Sequence, residues 1–257
     1  MYLESDLKVT IGNTVIGGTD LLICIPLVAT DKARLRKETQ NAMRNHPDLL
    51  EWRVDAFNSA IDRNTCLDTL ATLREGIGDI PLIFTCRSYA EGGLANISAD
   101  KREELILAAI QSGYVDVIDI ELSNDEVFIH NIQKAVKHSS LAMILSYHNF
   151  KSTPEPVFII DTLFQARDMG ADIAKVAVMP QDFEDVLALM GAAIKARKDG
   201  LKIPMIAISM GTLGSLSRLA AKRFGADITF ASSDTPSAPG QTKIRLLQQA
   251  INTLYHS

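Results

Sequence analysis

The chain has few cysteines, no cluster of basic residues and no long apolar run, and each absence removes a class of protein. Only Cys24, Cys66 and Cys86 occur in 257 residues, irregularly spaced and without a CxxC pair. A disulfide framework is not expected from that pattern, and reduced thiols are the simpler reading. No Lys/Arg-rich block is present and the formal net charge is -5, which argues against nucleic acid as a partner. No apolar run approaches the ~18–20 residues needed to span a bilayer. The opening MYLESDLKVT lacks the basic-then-apolar order of a signal peptide, so a cytoplasmic protein is expected. No His/Cys/Asp spacing reads as a metal site. With 47% hydrophobic and 22% charged residues, disorder is excluded.

What the chain does contain is repetition. Eight short apolar runs recur about thirty residues apart: LLICIPL from 21, LLEWRV from 49, PLIFTCR from 81 and VDVIDIEL from 115, then AMILSYH from 142, IAKVAVM from 173, PMIAISM from 204 and ITFAS from 228. Stretches of helical period separate them, among them 31–46, 98–113, 154–169, 180–197, 213–224 and 242–255. Gly113, Gly170, Gly200 and Gly225 stand where left-handed C-caps are expected. No Pro/Gly/Ser-rich linker divides the chain. An open doubly wound sheet is the competing arrangement, but CIPLVATDKAR follows the first run where GxGxxG would stand. The expectation is a single (β/α)₈ barrel domain over 1–257. KVTIGNTVIGG at 8–18, within an extension of residues 1–20, reads as a hairpin turning at Gly12-Asn13 and covering the bottom of the barrel.

In a closed barrel, period two sorts each strand into an inward and an outward set. Trp52, Val54, Phe84, Cys86, Ile118, Ile120, Leu145, Tyr147, Val176 and Val178 form the apolar set that must meet the helices. Glu51, Arg53, Asp55, Thr85, Arg87, Asp119, Glu121, Ser146, His148 and Lys175 then point inward. Buried ions are costly unless paired, so this concentration is either an ion-pair network or a reactive centre. Glu51 with Arg53 is one candidate pair. Lys175 differs, because its neighbours on the same face, Ile173 and Ala177, are apolar. Burial disfavours an ammonium ion, and an uncharged lysine amine attacks carbonyls to form an imine. His148 on the adjacent strand supplies a base.

The loops add further groups. Glu91, at the mouth after the third strand, can orient His148, or can be a solvated loop acid. Arg218 falls in the first turn of the expected helix after strand seven, against the helix dipole. Either a bound anion or a salt bridge to a neighbouring loop would resolve that conflict. The Pro- and Ser-rich segment 232–241 suits a lid, with Gln241 at its base. Met210 is a core filler or a pocket wall.

EWRVD (51–55), FTCRSYAEGG (84–93), SYHNF (146–150), AKVAVMP (174–180) and SAPGQ (237–241), in this order, resemble the type I 3-dehydroquinate dehydratases nearly end to end. The resemblance implies a (β/α)₈ barrel converting 3-dehydroquinate to 3-dehydroshikimate, in the shikimate pathway to chorismate, without metal or organic cofactor. It implies Lys175 as the Schiff-base lysine, His148 as the proton-transfer residue and Glu91 as its positioning partner. Glu51, Arg53 and Arg87 would contact substrate hydroxyls and the carbonyl side, and Arg218 the carboxylate. Ser237 and Gln241 would lie in the closing loop, and Met210 and Phe230 in the apolar wall. Asn149, where Asp is common, and Cys86 are departures that touch no assigned position. A homodimer is the expected assembly. Two rivals stay open: a class I aldolase acting on a phosphorylated sugar, and a non-catalytic barrel that binds an anionic metabolite or a protein.

Overall fold

The computed structural model describes residues 3–58, 62–233 and 238–255. An antiparallel hairpin, β1 (Val9–Ile11) and β2 (Thr14–Ile16), turns at Gly12 with φ 54°. Eight parallel strands follow: β3 (Leu22–Leu27), β4 (Leu49–Arg53), β5 (Leu82–Thr85), β6 (Val117–Glu121), β7 (Ala142–Asn149), β8 (Ile173–Val178), β9 (Met205–Ser209) and β10 (Ile228–Phe230). β10 pairs with β3, and the ladder continues in chain order to β9. At the remaining seam the Asp227 N–H donates to the Met205 carbonyl at 2.8 Å. This is the expected α/β barrel.

The helices begin where short polar residues can cap them. Asp31, Asp62, Ser98, Asp125 and Asp182 each accept a backbone N–H in the first turn of α1 (Lys32–Met43), α2 (Arg63–Ile77), α3 (Ala99–Ser112), α4 (Glu126–Lys137) and α6 (Phe183–Lys198). Pro156 opens α5 (Pro156–Asp168). The helix expected over 213–224 is shorter and broken. α7 spans Ser215–Leu219, and a 3₁₀ turn over Ala221–Phe224 follows Ala220. The tighter turn belongs to a buried attachment, because the Lys222 ammonium reaches the Gly18 carbonyl at 2.5 Å and Asp227 at 3.0 Å. α8 (Ile244–Tyr255) closes the ring.

Two apolar clusters sort the strand residues as period two predicts. Trp52, Phe84, Ile118, Leu145 and Val176 pack between barrel and helices, whereas Leu49, Ile83, Val117, Ile144 and Ile173 fill the barrel interior. The hairpin plugs the N-terminal mouth: Ile16 is buried in the interior cluster, and Val9 and Ile11 pack against it. An ionic knot fastens that end. Asp227 accepts from Arg197 at 2.6 Å, from Lys222, from the Ser5 hydroxyl at 2.8 Å and from the Met205 N–H at 2.9 Å. Asp227→Ala leaves two buried cations without their carboxylate and is expected to cost ~3–5 kcal/mol of stability. Urea unfolding checks this, and a loss of less than about 1 kcal/mol, the scale of an exposed pair, would contradict it.

Candidate active site

With the bottom plugged, the chemistry-bearing side chains collect at the opposite mouth. Ten of the candidates (Glu51, Arg53, Arg87, Glu91, His148, Lys175, Met210, Arg218, Phe230 and Gln241) line one pocket at the C-terminal ends of the strands. Phe150, Ala177, Ile208 and Ala238 complete its lining. Ser237 lies outside the described residues.

Lys175 sits at the centre and is not the unpartnered amine that its apolar strand neighbours suggest. Its Nζ donates to Asp119 Oδ2 at 2.7 Å, with Glu51 Oε1 at 3.6 Å and the Phe230 ring centroid at 4.7 Å. The reason is architectural. In a barrel of this type each interior layer is supplied by alternate strands. Glu51, Asp119, Lys175 and Phe230 come from β4, β6, β8 and β10, so residues far apart in sequence meet in one layer. From the intervening strands β5 and β7, Thr85 donates to Glu51 Oε1 at 2.8 Å, and Ser146 donates to Asp119 Oδ1 at 2.7 Å.

The arginines are held in different ways. Arg53 pairs through both sides of its fork with Asp55, at 2.8 and 2.7 Å, and not with Glu51. Burial opposes the Asp55 charge, but Arg53 and the N–H groups of Leu94 and Arg87 outweigh it and hold the carboxyl below its usual range. Arg87 bridges Asp119 and Glu121, each at 3.0 Å, and donates to the Ser146 hydroxyl at 2.8 Å. Burial alone would weaken the Arg87 charge, and the carboxylates of Asp119, Glu121 and Glu51 reverse that effect. Glu121 also takes Arg102 from α3 at 3.0 Å, so it completes an ion-pair network beneath the pocket.

Arg218 has no such company. It is 1% exposed, and among the described residues its guanidinium reaches only the carbonyls of Phe230 at 3.3 Å and Pro239 at 3.5 Å, while Nε has no partner. Among the described residues no carboxylate lies within ion-pair distance. Burial pulls its pKa down to about 10. A helix dipole does not single out Arg218 as the sequence suggests, because α7 has five residues and Arg218 lies in its last turn. A buried cation facing a pocket without a counter-ion is the stronger reason to expect an anion there.

Glu91 is brought inward by a loop that folds back on itself. A side chain at Gly93 would sit 2.3 Å from the Arg87 carbonyl oxygen, and one at Gly92 (φ +86°) would strike the Phe150 ring. Glu91 Oε2 accepts the His148 backbone N–H at 2.8 Å and faces His148 Nδ1 at 3.1 Å. A proton on Nδ1 directed to that carboxylate leaves Nε2 with a free lone pair. Burial pushes Glu91 up to about 7, against the pull of Ser123 and Arg87. Burial, then the charges of Arg87, Lys175 and Arg53, hold His148 well below its usual range, so the imidazole is neutral at pH 7.

Asp119 and Ser146 are legible from the strands as inward groups, on β6 and β7, and the structure adds that both serve as partners around Lys175. Asp55 shares the inward set with Arg53, although its pairing with that guanidinium is not given by the period, and Ser123 acts across a loop, where no periodicity reports contact. Cys24, Cys66 and Cys86 are buried free thiols, as expected. No helix among the described residues is long and apolar enough to cross a membrane.

Comparison with known proteins agrees with the geometry. The family described as type I 3-dehydroquinase matches residues 23–257. A 3-dehydroquinate dehydratase of Geobacillus sp. (strain WCH70) is 40% identical over 245 residues, covering 95% of this chain and 94% of that protein. The crystal structure of 3-dehydroquinate dehydratase from Geobacillus kaustophilus superposes with a TM-score of 0.95 at 39% identity, covering 99% of this chain and 98% of that one. The type I enzyme from Clostridium difficile, solved with covalently modified comenic acid, gives 0.94 at 35% identity, over 98% and 99% of the two chains. An interior lysine, a histidine whose Nδ1 faces a carboxylate and a buried arginine with no counter-ion among the described residues thus occur on a barrel matched over nearly its whole length, and the chain belongs to the type I 3-dehydroquinase family.

Proposed function

We propose that this chain is a single barrel domain that dehydrates 3-dehydroquinate to 3-dehydroshikimate, in the shikimate pathway, through an imine on Lys175. The observation that carries the reading is one pocket holding a lysine amine, a neutral histidine and a buried guanidinium with no counter-ion among the described residues. The substrate carboxylate supplies the missing charge at Arg218. Its ketone then points at Lys175, and Glu51 and Asp119 are the nearest acceptors for the proton that the ammonium must shed before attack.

The amine forms a C–N bond to the ketone carbon, whose oxygen leaves as water, giving an iminium ion. The iminium draws electrons from the adjacent C–H bond. His148 Nε2 takes that proton, and the electron pair becomes the C=C of an enamine. The enamine expels the hydroxyl one carbon further on, which leaves as water with the proton from His148. Water then hydrolyses the conjugated iminium to product and free lysine. Met210 and Phe230 wall the site against bulk water, and Arg53, Arg87, Glu51, Ser237 and Gln241 contact the substrate's hydroxyls and carbonyl side. The chemistry asks for no metal or organic cofactor.

Incubation with 3-dehydroquinate should raise the enone absorbance of the product, and no change in absorbance at any pH between 6 and 9 would overturn the reading. Arg218→Lys should raise KM by roughly 10²-fold, because an ammonium cannot give the carboxylate two parallel hydrogen bonds. An analogue lacking the carboxylate should bind variant and parent alike. If the variant still discriminates against that analogue as strongly as the parent, the carboxylate sits elsewhere. The proposed location is the cytoplasm and the proposed assembly a homodimer, the latter supported by the exposed apolar side chains Val127, Val157 and Phe158 on α4 and α5; sedimentation equilibrium reads the assembly.

A further inference from the structure

We infer that Ser123, in the loop between β6 and α4, is a positioning residue that sets the pH at which the Glu91–His148 pair becomes active. The two oxygens of Glu91 have divided duties. Oε2 takes the backbone N–H and the Nδ1 of His148, while Oε1 takes the Ser123 hydroxyl at 2.5 Å. A serine hydroxyl that donates to a carboxylate stabilises the ionised form. The hydroxyl is held in place by its loop. Leu122 donates its N–H to the Ser146 carbonyl at 2.8 Å, and the Asn124 side chain donates to the Glu121 carbonyl and to Glu121 Oε2, both at 2.9 Å. β6, β7 and the loop after β5 therefore meet at one carboxylate.

The charged groups around Glu91 leave this hydroxyl a deciding part. Arg87, on the same loop, favours the carboxylate ion, and Glu121, on β6, opposes it. His148, on β7, is neutral and adds an N–H. Burial raises Glu91 to about 7, with Ser123 the largest of the influences pulling it down. The ion is needed because it stabilises the imidazolium formed when His148 takes the substrate proton; a protonated Glu91 gives no such charge. As pH falls, Glu91 protonates before His148, whose own pKa burial and three cations hold down. The acid limb of activity is then the Glu91 limb.

The inference rests on the proposed dehydration, and its test separates the two. In the full-length protein, Ser123→Ala should move the acid limb of kcat upward by about half to one pH unit, since water at this exposed position returns part of the lost hydrogen bond. At pH 6 the rate should fall to about one-third to one-tenth of the parent's, with no change on the alkaline plateau. Ser123→Thr should restore the parental profile, and in a Glu91→Gln background Ser123→Ala should add nothing. The ¹⁵N shifts of the His148 ring, followed against pH without substrate, should show the same displacement. Superimposable profiles for Ser123→Ala and parent, or a loss equal at every pH, would overturn the assignment. A parent that leaves 3-dehydroquinate untouched would instead overturn the proposed function, and the ring shifts would still report on Ser123.

Discussion

Lys175→Ala is expected to lose turnover by roughly 10⁴- to 10⁶-fold, the scale on which removal of a covalent nucleophile acts. No other described lysine lines the pocket. The loss should be in chemistry and not in binding, because Arg218 and the hydroxyl contacts remain. The vacated site is tolerable: Asp119 keeps Arg87 at 3.0 Å and Ser146 at 2.7 Å, and Glu51 keeps Thr85 at 2.8 Å. Borohydride added to the parent during turnover should reduce the imine, inactivate the enzyme and leave the ligand's mass on the peptide containing Lys175. Lys175→Arg should not rescue, since a guanidinium stays charged and cannot attack a carbonyl. Full activity in Lys175→Ala, or label on a different lysine, would remove the imine from the mechanism.

His148→Ala should slow the reaction by ~10²–10⁴-fold, with the upper end favoured because the imidazole serves both in proton removal and in hydroxyl departure. The arrest falls after imine formation. Borohydride with substrate should therefore still label Lys175 in this variant, although the enone no longer accumulates at the parental rate. Exchange of the substrate's α-proton with deuterated solvent should disappear. The pH dependence of the parent follows from the same pair. Below about 7 Glu91 takes up a proton, the imidazolium loses its counter-charge and kcat falls; above it the pair is fully competent. A His148→Ala variant that keeps near-parental kcat, or that still exchanges the α-proton, would show that another group is the base.

The sequence by itself determined the barrel and the inward direction of its polar side chains. Eight apolar runs rich in Ile, Leu and Val with helical stretches between them admit few architectures, and a side-chain period of two divides each strand without knowledge of its neighbours. Glu51, Arg53, Arg87, His148 and Lys175 were therefore legible as inward groups, and the hairpin was legible from its turn. Tertiary structure alone decided who meets whom. Periodicity gives a face but not a partner, and barrel closure places β4, β6, β8 and β10 in one layer, so Lys175 finds Asp119 and Glu51 across the interior. Arg53 turned to Asp55 because the chain leaves the strand in a 3₁₀ turn over Val54–Ala56, which swings that carboxylate under the guanidinium. The helix expected over 213–224 broke because Lys222 is drawn down to Asp227 at the far end of the barrel. Arg218 was selected from the sequence by a dipole argument that the short helix removes. What marks it is burial with no counter-ion among the described residues, a property of the packed chain that no reading of neighbours along the sequence can supply.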